Sequence, residues 1–106
     1  MKGFETAKKV MEKYGTRDCF AIAEKAGVKI VDENWHPVTI GEFDRKAKTI
    51  RVNLRALTDN KYSKEAVVAH ELGHFFAAEF NLSRAEEEIF AAEFAAELIN
   101  LDDESI

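Results

Sequence analysis

The sequence predicts an α+β fold in one domain, residues 1–106. Three observations predict it. Apolar residues recur at helical spacing through the first 25 or so positions. Three short strand-like segments then fall between Val28 and Leu54, and two long helical segments close the chain.

In order, Phe4, Ala7, Val10, Met11 and Tyr14 share one helical face, and Gly15 supplies a stop. A second helix is expected over Arg17–Lys25, capped by Gly27. Strands are expected at Val28–Val31, Val38–Phe43 and Thr49–Leu54, with Ile50, Val52 and Leu54 on one side of the last. Asp44–Lys48 is the polar turn between the second and third. Helices near Ser63–Glu79 and Arg84–Leu101 follow, joined by a turn at Phe80–Leu82 short enough to make them antiparallel neighbours. Ser83 and Glu86 read as an S-x-x-E capping box opening the last helix.

Composition narrows the functional classes. The formal net charge of -5 argues against a direct nucleic-acid binder, which needs a basic face. FAIAEKAGV resembles the first helix and turn of a helix-turn-helix, but KIVDENWHPV after it reads as strand and loop rather than as a recognition helix. No run of 18 apolar residues is present to span a membrane. MKGFETAKKV lacks the apolar core of a signal peptide. The lone Cys19 can form no internal disulfide and no Cys-rich zinc site, and reads as a small buried residue. These features point to the cytoplasm.

The chemistry concentrates in AVVAHELGHFFAA, residues 66–78. All but His70, Glu71 and His74 are apolar or glycine there, so the helix is a buried one. Polar side chains inside such a helix must find partners. At roughly 100° per residue, His70 and His74 stand one turn apart on the same face. Two imidazoles so placed can converge on one tetrahedral zinc ion. Glu71 sits beside them, placed to take a proton from the attacking water and return it to the leaving amine. This is the H-E-x-x-H arrangement of zinc peptidases. Gly73, lacking a side chain, allows another element or a substrate to approach closely.

A catalytic zinc site needs a third protein ligand. The last helix offers Glu86, Glu87, Glu88, Glu93 and Glu97. On a helical wheel Glu86, Glu93 and Glu97 form a stripe expected to be solvated. Glu88 falls among Ala91, Ala92, Ala95 and Ile99, the small apolar face expected to pack on the motif helix. Glu88 is the expected third ligand, with Glu87 the alternative. Tyr62 and His36 are candidates for stabilising the oxyanion, because their side chains can donate.

Together AKKVMEKYGTRDCFAIAEKAGV, TIRVN, AHELGH and EIFAAEFAAELI resemble the ImmA/IrrE family of zinc metallopeptidases. The resemblance implies a zincin-like minimal domain, in which a small sheet supports the motif helix and a later helix supplies a glutamate ligand. By similarity His70, Glu71 and His74 take the motif roles. Glu88, Ala91, Phe94 and Ala95 match the family pattern E-x-x-A-N-x-F-A. Ala92 stands where that pattern has Asn, the stretch between His74 and Glu88 is shorter than usual, and Asn100 lies near the place of a common Pro. The resemblance implies a zinc-dependent endopeptidase, with a helix-turn-helix repressor as protein substrate. An extended substrate would be held by β-addition wherever a strand edge is free. The rival reading is a non-catalytic partner-binding module that keeps the metal for stability. An intact Glu71 argues against it, since a structural site has no use for a general base. A third option is hydrolysis of a non-peptide substrate.

Overall fold

The computed structural model describes residues 2–34, 40–60 and 63–99. Five helices and a three-stranded sheet run in the order α1 (Lys2–Tyr14), α2 (Cys19–Ala26), β1 (Lys29–Glu33), β2 (Gly41–Asp44), β3 (Thr49–Asn53), α3 (Leu54–Asn60), α4 (Lys64–Ala77) and α5 (Arg84–Ile99). The α+β class and the small sheet beneath the motif helix are as the sequence predicts.

Helix α2 begins two residues later than expected because Asp18 caps it, its Oδ1 accepting from the Phe20 N–H at 2.9 Å. Gly27, at φ 80°, ends it. The N–H groups of Gly27 and Val28 then reach the carbonyls of Glu24 and Ala23, a Schellman closure that leads directly into β1.

The strand order is β1-β3-β2, with β1 parallel and β2 antiparallel to the central β3. Ile50 and Val52 of β3 are fully buried. Between them Arg51 pairs with Glu33, Glu42 and Asp44 on the opposite face. Central strands bury one face and leave the other to such polar ladders. Strand β2 has β3 on one side, and its other edge pairs with no strand among the described residues. The expected residues Val38 and Thr39 of this strand lie outside the described residues.

Leu54 does not continue the strand as expected. It begins α3, a helix the sequence reading missed. The Asn53 side chain turns back and accepts from the N–H groups of Arg55 and Ala56, at 3.2 and 3.5 Å, which caps the new helix and stops β3. Leu54 is consequently one-third exposed rather than beside Ile50 and Val52.

Ser63 caps α4 by accepting from the Ala66 N–H at 3.0 Å. The helix buries Val67, Val68, Ala69, Leu72, Gly73 and Ala77, then tightens into a 3-10 turn at Ala78–Phe80. Asn81, in the left-handed region at φ 53°, reverses the chain. The Ser83–Glu86 capping box is made in both directions, Ser83 N–H to Glu86 Oε1 at 2.9 Å and Glu86 N–H to Ser83 Oγ at 3.2 Å.

Helices α4 and α5 run antiparallel. Phe80 meets Phe90 near the turn, and Gly73 meets Ala91 farther along. A Cβ on Gly73 would lie 2.7 Å from the Ala91 Cα, so the close crossing requires glycine. The buried face of α5 differs from the one expected. It is the stripe Phe90, Ala91, Phe94 and Leu98, while Ala92 is exposed. The reason is a second neighbour: α5 also packs on α1, and Glu93 is half-buried there, its Oε1 accepting from the Gly3 N–H at 3.1 Å. Glu93 and Glu97 therefore do not form a solvated stripe.

Candidate metal centre

Apolar anchoring fixes the motif side chains. Val67, Val68, Leu72 and Gly73 hold α4 against the core, and the remaining arc of that helix carries His70, Glu71 and His74 toward a cleft. The two imidazoles stand 5.1 Å apart, ring centre to ring centre, one edge toward the other face. From α5, Glu88 reaches both: Oε1 lies 3.3 Å from His70 Nε2, and Oε2 lies 3.0 Å from His74 Nε2. One ligand atom from each of His70, His74 and Glu88 falls within 4.8 Å of the others. The convergence expected from the sequence is present, but not for the reason expected. Glu88 is largely exposed, at 61% of its side chain, on the cleft-facing margin of α5 rather than in the middle of its packed face.

Glu87, the alternative ligand, occupies a different place. Its Oε1 lies 2.8 Å from His74 Nδ1, on the far side of that ring from Glu88. Arg45, from the turn between β2 and β3, holds the same oxygen at 2.9 Å. Glu87 is thus the carboxylate that orients His74, through a chain Arg45–Glu87–His74. Such outer partners fix the tautomer of a ligating histidine and raise its basicity.

This arrangement tests whether a cation fits. Both ring nitrogens of His74 face carboxylate oxygens within 3.0 Å. A neutral imidazole carries one proton, so one of the two contacts would set a nitrogen lone pair against a carboxylate. With Nδ1–H donating to Glu87, the lone pair of Nε2 points to the space shared with Glu88 and His70. A positive centre there removes the conflict. Two imidazole nitrogens and one carboxylate oxygen form the His₂Glu donor set of catalytic zinc sites, and the cleft leaves the remaining side open. The residues fit the metal.

Electrostatics follows from burial. His70 is pushed below its ordinary value, first by burial and then by the neighbouring His74, which favours the neutral, ligand-competent ring. Burial pushes Glu71 up to about 7, with Glu88 and Glu42 adding and His74 opposing. A carboxyl held near neutrality can both accept and return a proton.

Two cleft regions meet at His70 and Glu71. The polar one includes Glu42, Arg45, His74, Arg84, Glu87 and Glu88. The apolar one is a groove of about 630 Å³ between the N-terminal half of α4 and the C-terminal half of α5. Gly41 of β2 borders both, and a Cβ there would lie 2.5 Å from Val67 Cγ1, so glycine is what brings the strand against α4.

His36 and Tyr62, the candidate oxyanion donors, lie outside the described residues. Sequence reasoning missed Arg45, which carried no local signal in its turn. It also misplaced Glu87, whose position three residues before Phe90 marks the same buried stripe once that stripe is centred on the large side chains.

No helix among the described residues is long and apolar enough to cross a membrane. No curated protein and no solved structure matches the chain. The family model of the IrrE N-terminal-like domain, peptidase family M78, matches residues 23–103, a span that takes in β1, the motif helix and all of α5. The chain belongs to this metallopeptidase-like family.

Proposed function

We propose that the protein is a zinc-dependent endopeptidase in which His70, His74 and Glu88 hold the metal and Glu71 is the general base. The observation that carries this reading is the meeting of the three donor groups within 4.8 Å beside a carboxyl that burial holds near neutrality. A zinc ion so held supplies Lewis acidity and renders water acidic near neutral pH. Glu71 takes the proton of the attacking water and delivers it to the leaving amine nitrogen. Arg45 and Glu87 keep the His74 ring in register throughout. The edge of β2 that pairs with no strand among the described residues borders the cleft at Gly41 and binds the extended substrate by main-chain pairing.

The substrate assigned to this site is a helix-turn-helix repressor, on family likeness. The test compares wild type with Glu71→Gln, each checked for zinc, on repressors encoded beside the gene. Cleavage by wild type alone, with zinc in both, is the expected result. Zinc-loaded wild type that leaves every such repressor intact would favour a metal-stabilised binding module instead.

A further inference from the structure

Four acids line the polar cleft, and three of them already face a cationic or imidazole partner. Glu42 Oε1 lies 3.1 Å from Arg51 Nη1, and Glu87 Oε1 lies 2.9 Å from Arg45 Nη2. Glu88 is turned onto His70 and His74. The fourth, Glu71, is the general base. Arg84 lines the same cleft, is exposed, and makes no ion pair among the described residues. Helical spacing offers it two partners, because Glu87 and Glu88 follow three and four residues later, where such pairs ordinarily form. Neither pair is made, since both carboxylates are drawn to the histidines. An unneutralised guanidinium is left on the cleft wall.

The fold gives this charge a place along a bound peptide. Strand β2 runs alongside α4: a Cβ on Gly41 would meet Val67 and Glu71, while Phe43 packs on Phe75. Helix α5 is antiparallel to α4, so Arg84, its first residue, stands at the far end of β2, where Arg45 reaches Glu87. Of the two senses in which a peptide can pair with β2, antiparallel is the more stable. A peptide so paired lays its N-terminal part toward Arg45 and Arg84 before it passes His70 and Glu71. Arg84 is one helical turn, about 6 Å, before Glu88, and an extended chain rises about 3.3 Å per residue. Its guanidinium therefore falls about one to three residues before the scissile bond.

Resting on the peptidase reading above, we infer that Arg84 is a specificity residue that recognises an acidic side chain on the N-terminal side of the cleaved bond. A carboxylate matches the guanidinium in shape and charge. Because Arg84 is exposed, the preference is modest and is screened by salt.

The test begins with a digest of unfolded proteins by zinc-loaded wild type, in which the cleavage sites are mapped. One cleaved peptide is then remade with Glu, Gln or Lys at each of the three positions before the cut. Two quantities are read: kcat/KM with wild type, and affinity for zinc-loaded Glu71→Gln by fluorescence anisotropy. At one of these positions the Glu peptide is expected to be favoured over Gln about fivefold in both, with the ratio fading as salt is raised. Arg84→Glu, made in each background, is expected to turn the preference toward Lys, and Arg84→Lys to keep part of the preference for Glu. Each ratio is taken within one protein, so a general change in activity or folding cancels. Equal handling of the Glu and Gln peptides at all three positions would overturn the acidic site and leave the peptidase reading standing. So would a preference that Arg84→Glu leaves in place, or one confined to residues after the cut. Zinc-loaded wild type that cleaves nothing in the digest would overturn the peptidase reading, and the acidic site with it.

Discussion

Glu87 Oε1 lies 2.8 Å from His74 Nδ1, so this glutamate orients a ring whose other nitrogen faces Glu88 and His70. The geometry separates two adjacent acids into distinct roles. Glu87→Ala is expected to weaken zinc binding by about 10- to 100-fold without removing a ligand. Glu87→Gln, which can still accept a hydrogen bond, loses less. Competition against a chelator of known affinity measures both.

Glu88 and Glu93 provide a sharper contrast. Glu88→Ala removes a donor from the converging set and is expected to lose retained zinc on dialysis. Glu93→Ala is expected to keep zinc but to lose stability by about 0.5–1.5 kcal/mol, because the Gly3 N–H loses its acceptor. Elemental analysis and denaturant unfolding of the two variants separate these effects; the opposite pattern would move the third ligand.

Metal-free protein should show the burial of Glu71 in its pH dependence. Its carboxyl is raised from 4.5 to about 7 on folding, so the native state binds more protons than the unfolded state between those values. Stability from this group therefore falls as pH rises through that window. His70, whose value is lowered, contributes in the opposite sense as pH rises through its unfolded value of 6.5. Glu71→Gln isolates the first contribution: the metal-free variant is expected to melt higher than wild type at pH 8, with the gap closing toward pH 4.

Gly73 holds α4 and α5 at the spacing the centre requires. A Cβ there meets Ala91 Cα at 2.7 Å and its carbonyl oxygen at 3.1 Å, both backbone atoms that cannot swing aside. Gly73→Ala is expected to cost about 1–3 kcal/mol as an overpacked contact. It also weakens zinc retention, since Glu88 and His74 lie on the two helices it pushes apart. Thermal unfolding with and without zinc checks both.

The legible parts of this molecule are those decided within a single element. His70, Glu71 and His74 share a helix, and helical spacing alone sets their common face. The Ser83–Glu86 box was visible for the same local reason, whereas Gly73 marked a close approach without naming Ala91 as its partner. Features set by distant packing were not. The alternation Ile50, Val52, Leu54 hides the Asn53 cap that ends the strand. The buried face of α5 depends on α1, from the opposite end of the chain, and the Gly3–Glu93 contact spans 90 residues. Centring the wheel on alanines instead of on Phe90, Phe94 and Leu98 put Glu88 on a packed face it does not occupy, and left Glu87 without its contact to His74. Arg45 reaches Glu87 across 42 residues, a pairing no local pattern encodes.

Zinc stoichiometry tests the central claim most directly. Elemental analysis is to be made on wild type, Glu71→Gln and the double variant His70→Ala/His74→Ala after equal zinc loading and dialysis. One equivalent in the first two and none in the third is the predicted result. Wild type without zinc, or the double variant retaining as much as wild type, would contradict the account.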